Sequence, residues 1–291
     1  MKDLINKAAT LIEALPYIQR FKDALVVVKF GGSAMEDPEL TANTMRDIVL
    51  MEAIGMKPVV VHGGGKAITA RLAELNIETK FVHGLRHTCE QTVKVVDDVL
   101  HSNVNKSLLD GVREAGGNAV MVSGKDILRA EKMHSINPEN GEPVDVGFVG
   151  NIVSVDTSPI LAALAQNLIP VITPLGTDAK GQVYNINADI AACKIAKALK
   201  SRKLVFLSDV PGILRDHTDE STLIPTIKVS EVEKLIADKV ISGGMIPKIR
   251  SSIHALEAGT NKVHMIDGRV KHSLLLEIFT DEGIGTQIIK G

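Results

Sequence analysis

Short runs of apolar and β-branched residues recur along the chain at Leu25 to Phe30, Pro58 to Val61, Ala119 to Val122, Val171 to Thr173, Leu204 to Leu207 and Val263 to Ile266. These runs are continuous rather than alternating, which predicts strands covered on both faces. Helical patterns lie between successive runs, so the strands are expected to be parallel, joined by right-handed crossovers in an α/β fold. Several runs end in glycine or aspartate: Gly31-Gly32, Gly63-Gly64-Gly65, Gly124, Gly176, Asp209 and Gly268. That places these residues near the carboxyl edges of strands, where open α/β sheets bind ligands.

Helix starts are legible too. Asp37 precedes Pro38, Thr88 with Gln91 and Ser230 with Glu233 fit capping boxes, and Asn187 precedes an Ala-rich helical stretch. Between Ile127 and Val155 the pattern changes, and Asn140-Gly141 predicts a hairpin in an antiparallel flap. A boundary between two lobes is expected near Gly176 to Gly181. Ahead of the first strand, Leu4, Ala8, Leu11, Ile12 and Leu15 share one face of a helix that Pro16 should end or kink. This helix lies outside the minimal fold, and either packs on its own domain or serves contacts beyond it.

Composition narrows the function classes. The 291 residues carry 33 Lys+Arg against 35 Asp+Glu, a net charge of -2, so no broad positive field exists to hold nucleic acid or an anionic membrane. Aromatics make up 3%, with no Trp, too few for the stacking platforms of single-strand binders. Cys89 and Cys193 stand far apart, without a zinc-like or disulfide pattern. No run approaches the ~18 apolar residues of a membrane span, the N-terminus is interrupted by Lys7 and Glu13, and a cytoplasmic setting is expected.

Four segments carry candidate chemistry. Lys29-Phe30-Gly31-Gly32-Ser33 ends a strand in two glycines that let backbone N–H groups approach a phosphate, and Lys29 adds a mobile cation; a plain strand-to-helix turn is the simpler alternative. His62-Gly63-Gly64-Gly65-Lys66 spends chain entropy on three glycines, as an anion-binding nest requires. It matches neither GxxxxGK[ST] nor a complete GxGxxG, Ile68 filling the last position. In Asn185-Ile186-Asn187-Ala188-Asp189 the polar residues either cap a helix or form a site. Ser242-Gly243-Gly244-Met245-Ile246-Pro247-Lys248 places a proline where only a first helical turn accepts it, with Lys248 beside a positive helix end. His83 and His87 lack a carboxylate to complete a metal set, and no GxSxG elbow occurs.

Taken together, KFGGS at 29, HGGGK at 62, GLRHT at 84, NINAD at 185, LSDVPGIL at 207 and SGGMIPK at 242 resemble the amino acid kinase family across essentially the whole chain. The resemblance implies a three-layer αβα sandwich with a mainly parallel central sheet. It also implies an N-terminal helix at 1–24, an acyl-acceptor lobe at 25–178 and a lobe at 179–291 that binds MgATP, with no protein-only metal site. The acceptor implied is the side-chain carboxylate of N-acetyl-L-glutamate, an intermediate of arginine biosynthesis. Carried over by motif, Lys29 and Lys248 resemble the cations on the transferring phosphoryl group and Asp189 the carboxylate that holds them. Gly64, Gly65, Arg86 and Asn185 resemble the acceptor's contacts. Gly31, Gly32, Asp209, Val210, Pro211, Gly212, Ile213, Leu214 and Ser242 resemble the nucleotide's. His87 stands where the family pattern has valine or isoleucine.

Arginine-inhibited members carry a kinked N-terminal helix that interlaces dimers into a hexamer. By that likeness Tyr17, His272, Glu282 and Gly285 would surround arginine as a feedback inhibitor. An aminoadipate-type or aspartate kinase, and a nucleotide-sensing module without turnover, remain the alternatives. The presence of Lys29, Lys248 and Asp189 together argues against the second.

Overall fold

Along Leu25–Phe30 (β1), Val26 and Val28 pack into one apolar cluster and Val27 into another on the opposite side, all three fully buried. A strand with two covered faces needs no polar alternation, which explains the continuous apolar runs. The computed structural model describes residues 1–82, 84–136, 142–280 and 283–291. Its central sheet comprises β1, Lys57–His62 (β2), Ala119–Val122 (β3), Ile169–Ile172 (β4), Lys203–Ser208 (β5), Thr226–Lys228 (β6), Lys262–Asp267 (β7) and Thr286–Ile289 (β8), in the order β6-β8-β7-β5-β1-β2-β4-β3. From β7 to β3 all neighbours are parallel. The edge pair β8 and β6 runs the other way, β8 being antiparallel to β7. Every expected run is one of the parallel strands. The two short edge strands lack a continuous apolar run of their own.

Helices cover both faces, giving three layers. Pro38–Ala53 (α2), Gly65–Glu74 (α3), Glu90–Asp98 (α4), Lys106–Glu114 (α5) and Ser273–Ile278 (α9) bury Met45, Ile48, Leu72, Val96, Leu108 and Leu274 against Val26, Val28 and Phe30. Ser158–Ala165 (α6), Ala188–Leu199 (α7) and Met245–Glu257 (α8) bury Ile160, Ile195 and Ile249 against Val27, Val61 and Phe206. Between α4 and α5 the chain continues through a π-helical segment, Val99–Asn105.

The flap exists. Leu128–Lys132 pairs antiparallel with Gly150–Val155, and Ser135–Ile136 with Pro143–Val144, while the Asn140-Gly141 turn itself lies outside the described residues. Asp37 accepts from Glu39 N at 2.8 Å and Leu40 N at 3.0 Å, as its place before Pro38 requires. Asp37→Ala should therefore lower the unfolding free energy by about 1 kcal/mol in urea titration; an unchanged midpoint would count against the cap.

Two expected boxes are corrected. The Thr88 hydroxyl donates to the Arg86 carbonyl and accepts from Asn185, leaving at the N-cap of α4 Cys89, whose thiol meets the Thr92 hydroxyl at 3.1 Å and makes no capping bond. Near Ser230 the reciprocal carboxylate is Glu231, which accepts from Lys228 N at 2.7 Å. Pro16 does not end its helix either: Lys2–Phe21 (α1) runs through it. Pro16 forfeits one backbone bond at a cost of about 3 kcal/mol, and the carbonyl it frees belongs to the exposed Ile12, open to water. Leu4, Ile5, Leu11, Ile12 and Leu15 are exposed, so this part of α1 does not pack on its own domain.

Candidate active site

Parallel strands share one carboxyl edge, and that geometry assembles the motifs. Lys29 of β1 lies on the face of Val27, two residues earlier, and therefore turns toward α7. There Asn187 caps α7 by accepting from Asp189 N and Ile190 N, which fixes Asp189 in the first turn. Lys29 Nζ stands 3.0 Å from Asp189 Oδ1 and Lys248 Nζ 3.3 Å from Oδ2. Lys248 arrives from the first turns of α8, whose third residue is Pro247, as the sequence required.

The side chains of Lys29 and Lys248 are 13% and 15% exposed, so their charges are only partly screened. Burial pushes the Asp189 carboxyl upward, but the two ammonium groups more than offset it and hold Asp189 below the usual carboxylate range. Two cations on one anion leave one unit of net positive charge in the cluster. Such a surplus suits a phosphoryl group, which supplies the missing negative charge.

The adjoining glycines make the site approachable. A Cβ on Gly31 would lie 2.8 Å from Lys29 Nζ, and one on Gly32, where φ is +77°, would lie 2.4 Å from Asp209 Oδ1. Asp209 accepts from Ser33 N and Ser33 Oγ, both at 2.8 Å, and so anchors the loop that follows β1. Asp209 and Val210 are exposed, as is Ser242, whereas Gly212, Ile213 and Leu214 are buried. Ile213 belongs to the apolar core and its N–H donates to Thr286 Oγ1, so the side chains of Ile213 and Leu214 support the segment from behind and do not line a surface.

Beside the lysines opens a cleft of two adjoining cavities, about 430 Å³ and 160 Å³, which share Gly64, Gly65, Phe81 and Arg86. The smaller also reaches Asn185 and Ala188. Arg86 is buried, and burial lowers its pKa. Its Nη2 donates to the Gly65 carbonyl at 2.7 Å and Thr69 Oγ1 at 2.8 Å, and its guanidinium lies over the Phe81 ring. Among the described residues Nη1 has only a long 3.5 Å contact to Thr79 Oγ1, leaving donor capacity for an anion. Asn185 donates through Nδ2 to Thr88 at 3.2 Å. The sequence motifs did not single out Thr69 and Phe81, which hold Arg86, nor the Glu36–Lys66 ion pair at the rim.

A second cavity, about 240 Å³, lies under α1 and is lined by Tyr17, Phe21, Lys203, His264, Glu277 and Gly285 among others. His264 and Glu277 form a buried pair, Nδ1 to Oε1 at 2.5 Å. An ionisable residue inside an apolar strand run was the available signal for His264. His272 does not line this cavity: it contacts Asp47 of α2 at 2.6 Å. Glu282 lies outside the described residues. Among the described residues no group of three or more His, Cys, Asp or Glu is placed to hold a metal ion, and no helix is long and apolar enough to cross a membrane.

Comparison with known proteins agrees with this geometry. The model of the amino acid kinase family matches residues 24–267. A protein named acetylglutamate kinase from Akkermansia muciniphila is 47% identical over 99% of this chain and 97% of its own length. Another of that name, from a Thermoanaerobacter species, is 50% identical over 99% and 95%. Among solved structures, N-acetylglutamate synthase from Neisseria gonorrhoeae with coenzyme A and N-acetyl-glutamate superposes at a TM-score of 0.85 with 26% identity, covering 98% of this chain. This chain spans 63% of that protein's length. The same protein is also known with coenzyme A and L-arginine, at a TM-score of 0.81, 26% identity and coverage of 98% and 65%. With its motif residues gathered on one sheet edge and its relatives matched end to end, the chain belongs to the amino acid kinase family, as a phosphotransferase standing among proteins named acetylglutamate kinase.

Proposed function

We propose that this enzyme transfers the terminal phosphoryl group of MgATP to the side-chain carboxylate of N-acetyl-L-glutamate by direct in-line displacement. The observation that carries the reading is Asp189 clamping Lys29 and Lys248 beside a cleft that contains Arg86. No general base is required, because a free glutamate carboxylate, with a pKa of about 4.3, is already ionised at neutral pH. The work left to the protein is to hold two anions in line and neutralise the charge between them. Lys29 and Lys248 follow the transferring group, while Gly64 and Gly65 N–H groups, Arg86 and Asn185 hold the acceptor. Met35, Val104 and Leu108 offer an apolar wall in the same cleft, suited to an acetyl methyl. When bound, Mg²⁺ would neutralise phosphate charge.

Residues 25–178 serve in this reading as the acceptor lobe and 179–291 as the nucleotide lobe, with Gly31, Gly32, the exposed Asp209 and Val210, the half-buried Pro211 and the exposed Ser242 facing ATP. Coupled ATP consumption with N-acetylglutamate, glutamate, aspartate and aminoadipate in turn tests it. Turnover should require N-acetylglutamate; preference for another acceptor would reassign the substrate.

Regulation by arginine fits the second cavity. Glu277 offers a carboxylate to a guanidinium, with Tyr17 from α1 and Gly285 on the walls. The likeness to a protein solved with L-arginine supports this ligand. The exposed apolar residues of α1 favour an assembly in which that helix meets another copy, a hexamer built from dimers. Deleting residues 1 to 20 should convert the hexamer to dimers in light scattering and abolish inhibition by millimolar arginine, with catalytic turnover retained. A full-length dimer insensitive to arginine would overturn it.

A further inference from the structure

Behind the glycine loop lies a chain of buried polar groups that the catalytic reading leaves unused. Val171 in β4 presents a backbone carbonyl, which can only accept. Asn105 Nδ2, at the end of the π-helical segment, donates to it at 3.0 Å. The same amide nitrogen lies 3.1 Å from His62 Nε2. With the Asn105 nitrogen assigned as donor by Val171, Nε2 of His62 must accept, and the ring proton must sit on Nδ1. Nδ1 lies 2.7 Å from the Gly63 carbonyl and donates to it. His62 is fully buried, and desolvation pushes it down to about 4, consistent with a neutral ring.

We infer that His62, held in its Nδ1–H form by Asn105, is a positioning residue that orients the Gly63–Gly64 peptide so that the Gly64 N–H points into the acceptor cleft. In a trans peptide the carbonyl and the following N–H point in opposite directions, so anchoring Gly63 O to His62 aims Gly64 N–H away from it. The other contacts of the loop leave little freedom. Gly63 N donates to the Phe30 carbonyl at 2.7 Å. A Cβ on Gly64 would meet Leu100 of the π-helical segment at 2.6 Å, so that segment both backs the glycine and supplies Asn105. A π-helical insertion costs regular hydrogen bonding, and π-bulges concentrate at functional sites. Among the described residues Asn105 Oδ1 has no hydrogen-bond partner, the cost of turning its amide nitrogen toward Val171 and His62.

The inference rests on the proposed role of Gly64 as an acceptor contact, so its test has one arm that needs no substrate. In the full-length protein with ¹⁵N-labelled histidine, His62 should give the Nδ1–H tautomer throughout pH 5.5 to 8. An Nε2–H tautomer or an imidazolium in that range overturns the inference, even in an active enzyme. In the kinetic arm, His62→Leu removes the donor and should lower kcat/KM for the acceptor by about 10²-fold through KM, as a misplaced contact group can. The KM for ATP should hold. An asparagine amide reaches the place of an imidazole Nδ1, so His62→Asn should restore the acceptor KM to within a few-fold of the parent. Unchanged acceptor KM in His62→Leu, or equal losses in His62→Leu and His62→Asn, overturns the role. Should His62→Leu fail to fold, the tautomer and His62→Asn decide. An Nδ1–H tautomer in a protein without acceptor-dependent turnover would retain the peptide-orienting role and remove the substrate reading.

Discussion

Lys29→Ala and Lys248→Ala should each lower kcat by about 10²–10³-fold, the usual cost of removing one preorganised donor from a developing charge. The KM for N-acetylglutamate should change far less, since neither ammonium is assigned to the bound acceptor. The expectation follows from the geometry at Asp189. With Lys29 at 3.0 Å and Lys248 at 3.3 Å, the cluster carries one unit of positive charge. Either substitution cancels that unit, leaving a neutral ion pair that attracts no phosphoryl group more strongly in the transition state than before it. Steady-state kinetics with ATP and acceptor varied separately would measure the effect. Near-normal kcat in both variants would remove the two lysines from the mechanism.

Arg86→Lys should raise the KM for the acceptor by about 10–10²-fold, with nucleotide affinity nearly unchanged. A hydrogen bond to a charged group is worth about 1.5–3 kcal/mol, and each 1.4 kcal/mol is tenfold. Lysine keeps the charge but loses the planar fork. In this protein one arm of the fork is already committed, Nη2 bonding Gly65 O and Thr69 Oγ1, so orientation and recognition depend on the same planar group. A lysine ammonium could satisfy the buried Gly65 carbonyl or the acceptor, but with poor geometry for both. Titration calorimetry with a nucleotide analogue and with N-acetylglutamate separates the two ligands. Equal losses for both would count against Arg86 as an acceptor contact.

The amino-acid sequence by itself determined the parallel strands of the central sheet, because a strand covered on both faces is apolar along most of its length, a pattern local to each run. It also determined the Asp37 and Asn187 caps and the placement of Pro247 in a first turn, since these depend on a few consecutive residues. Only the tertiary structure decided which polar residues meet. Thr88 looks like a cap in sequence, but its hydroxyl is drawn instead to Arg86 and Asn185, the latter far along the chain. Asp209 holds Ser33, and His272 meets Asp47 on α2 instead of the cavity under α1. The joining of Lys29, Asp189 and Lys248, and of His62, Asn105 and Val171, follows from strand order and crossover, which bring together residues more than forty positions apart. Local patterning selects elements because it reflects what each face must bury. Long-range polar pairing is settled by packing, where the cost of leaving a buried donor or acceptor unmet selects one partner among many.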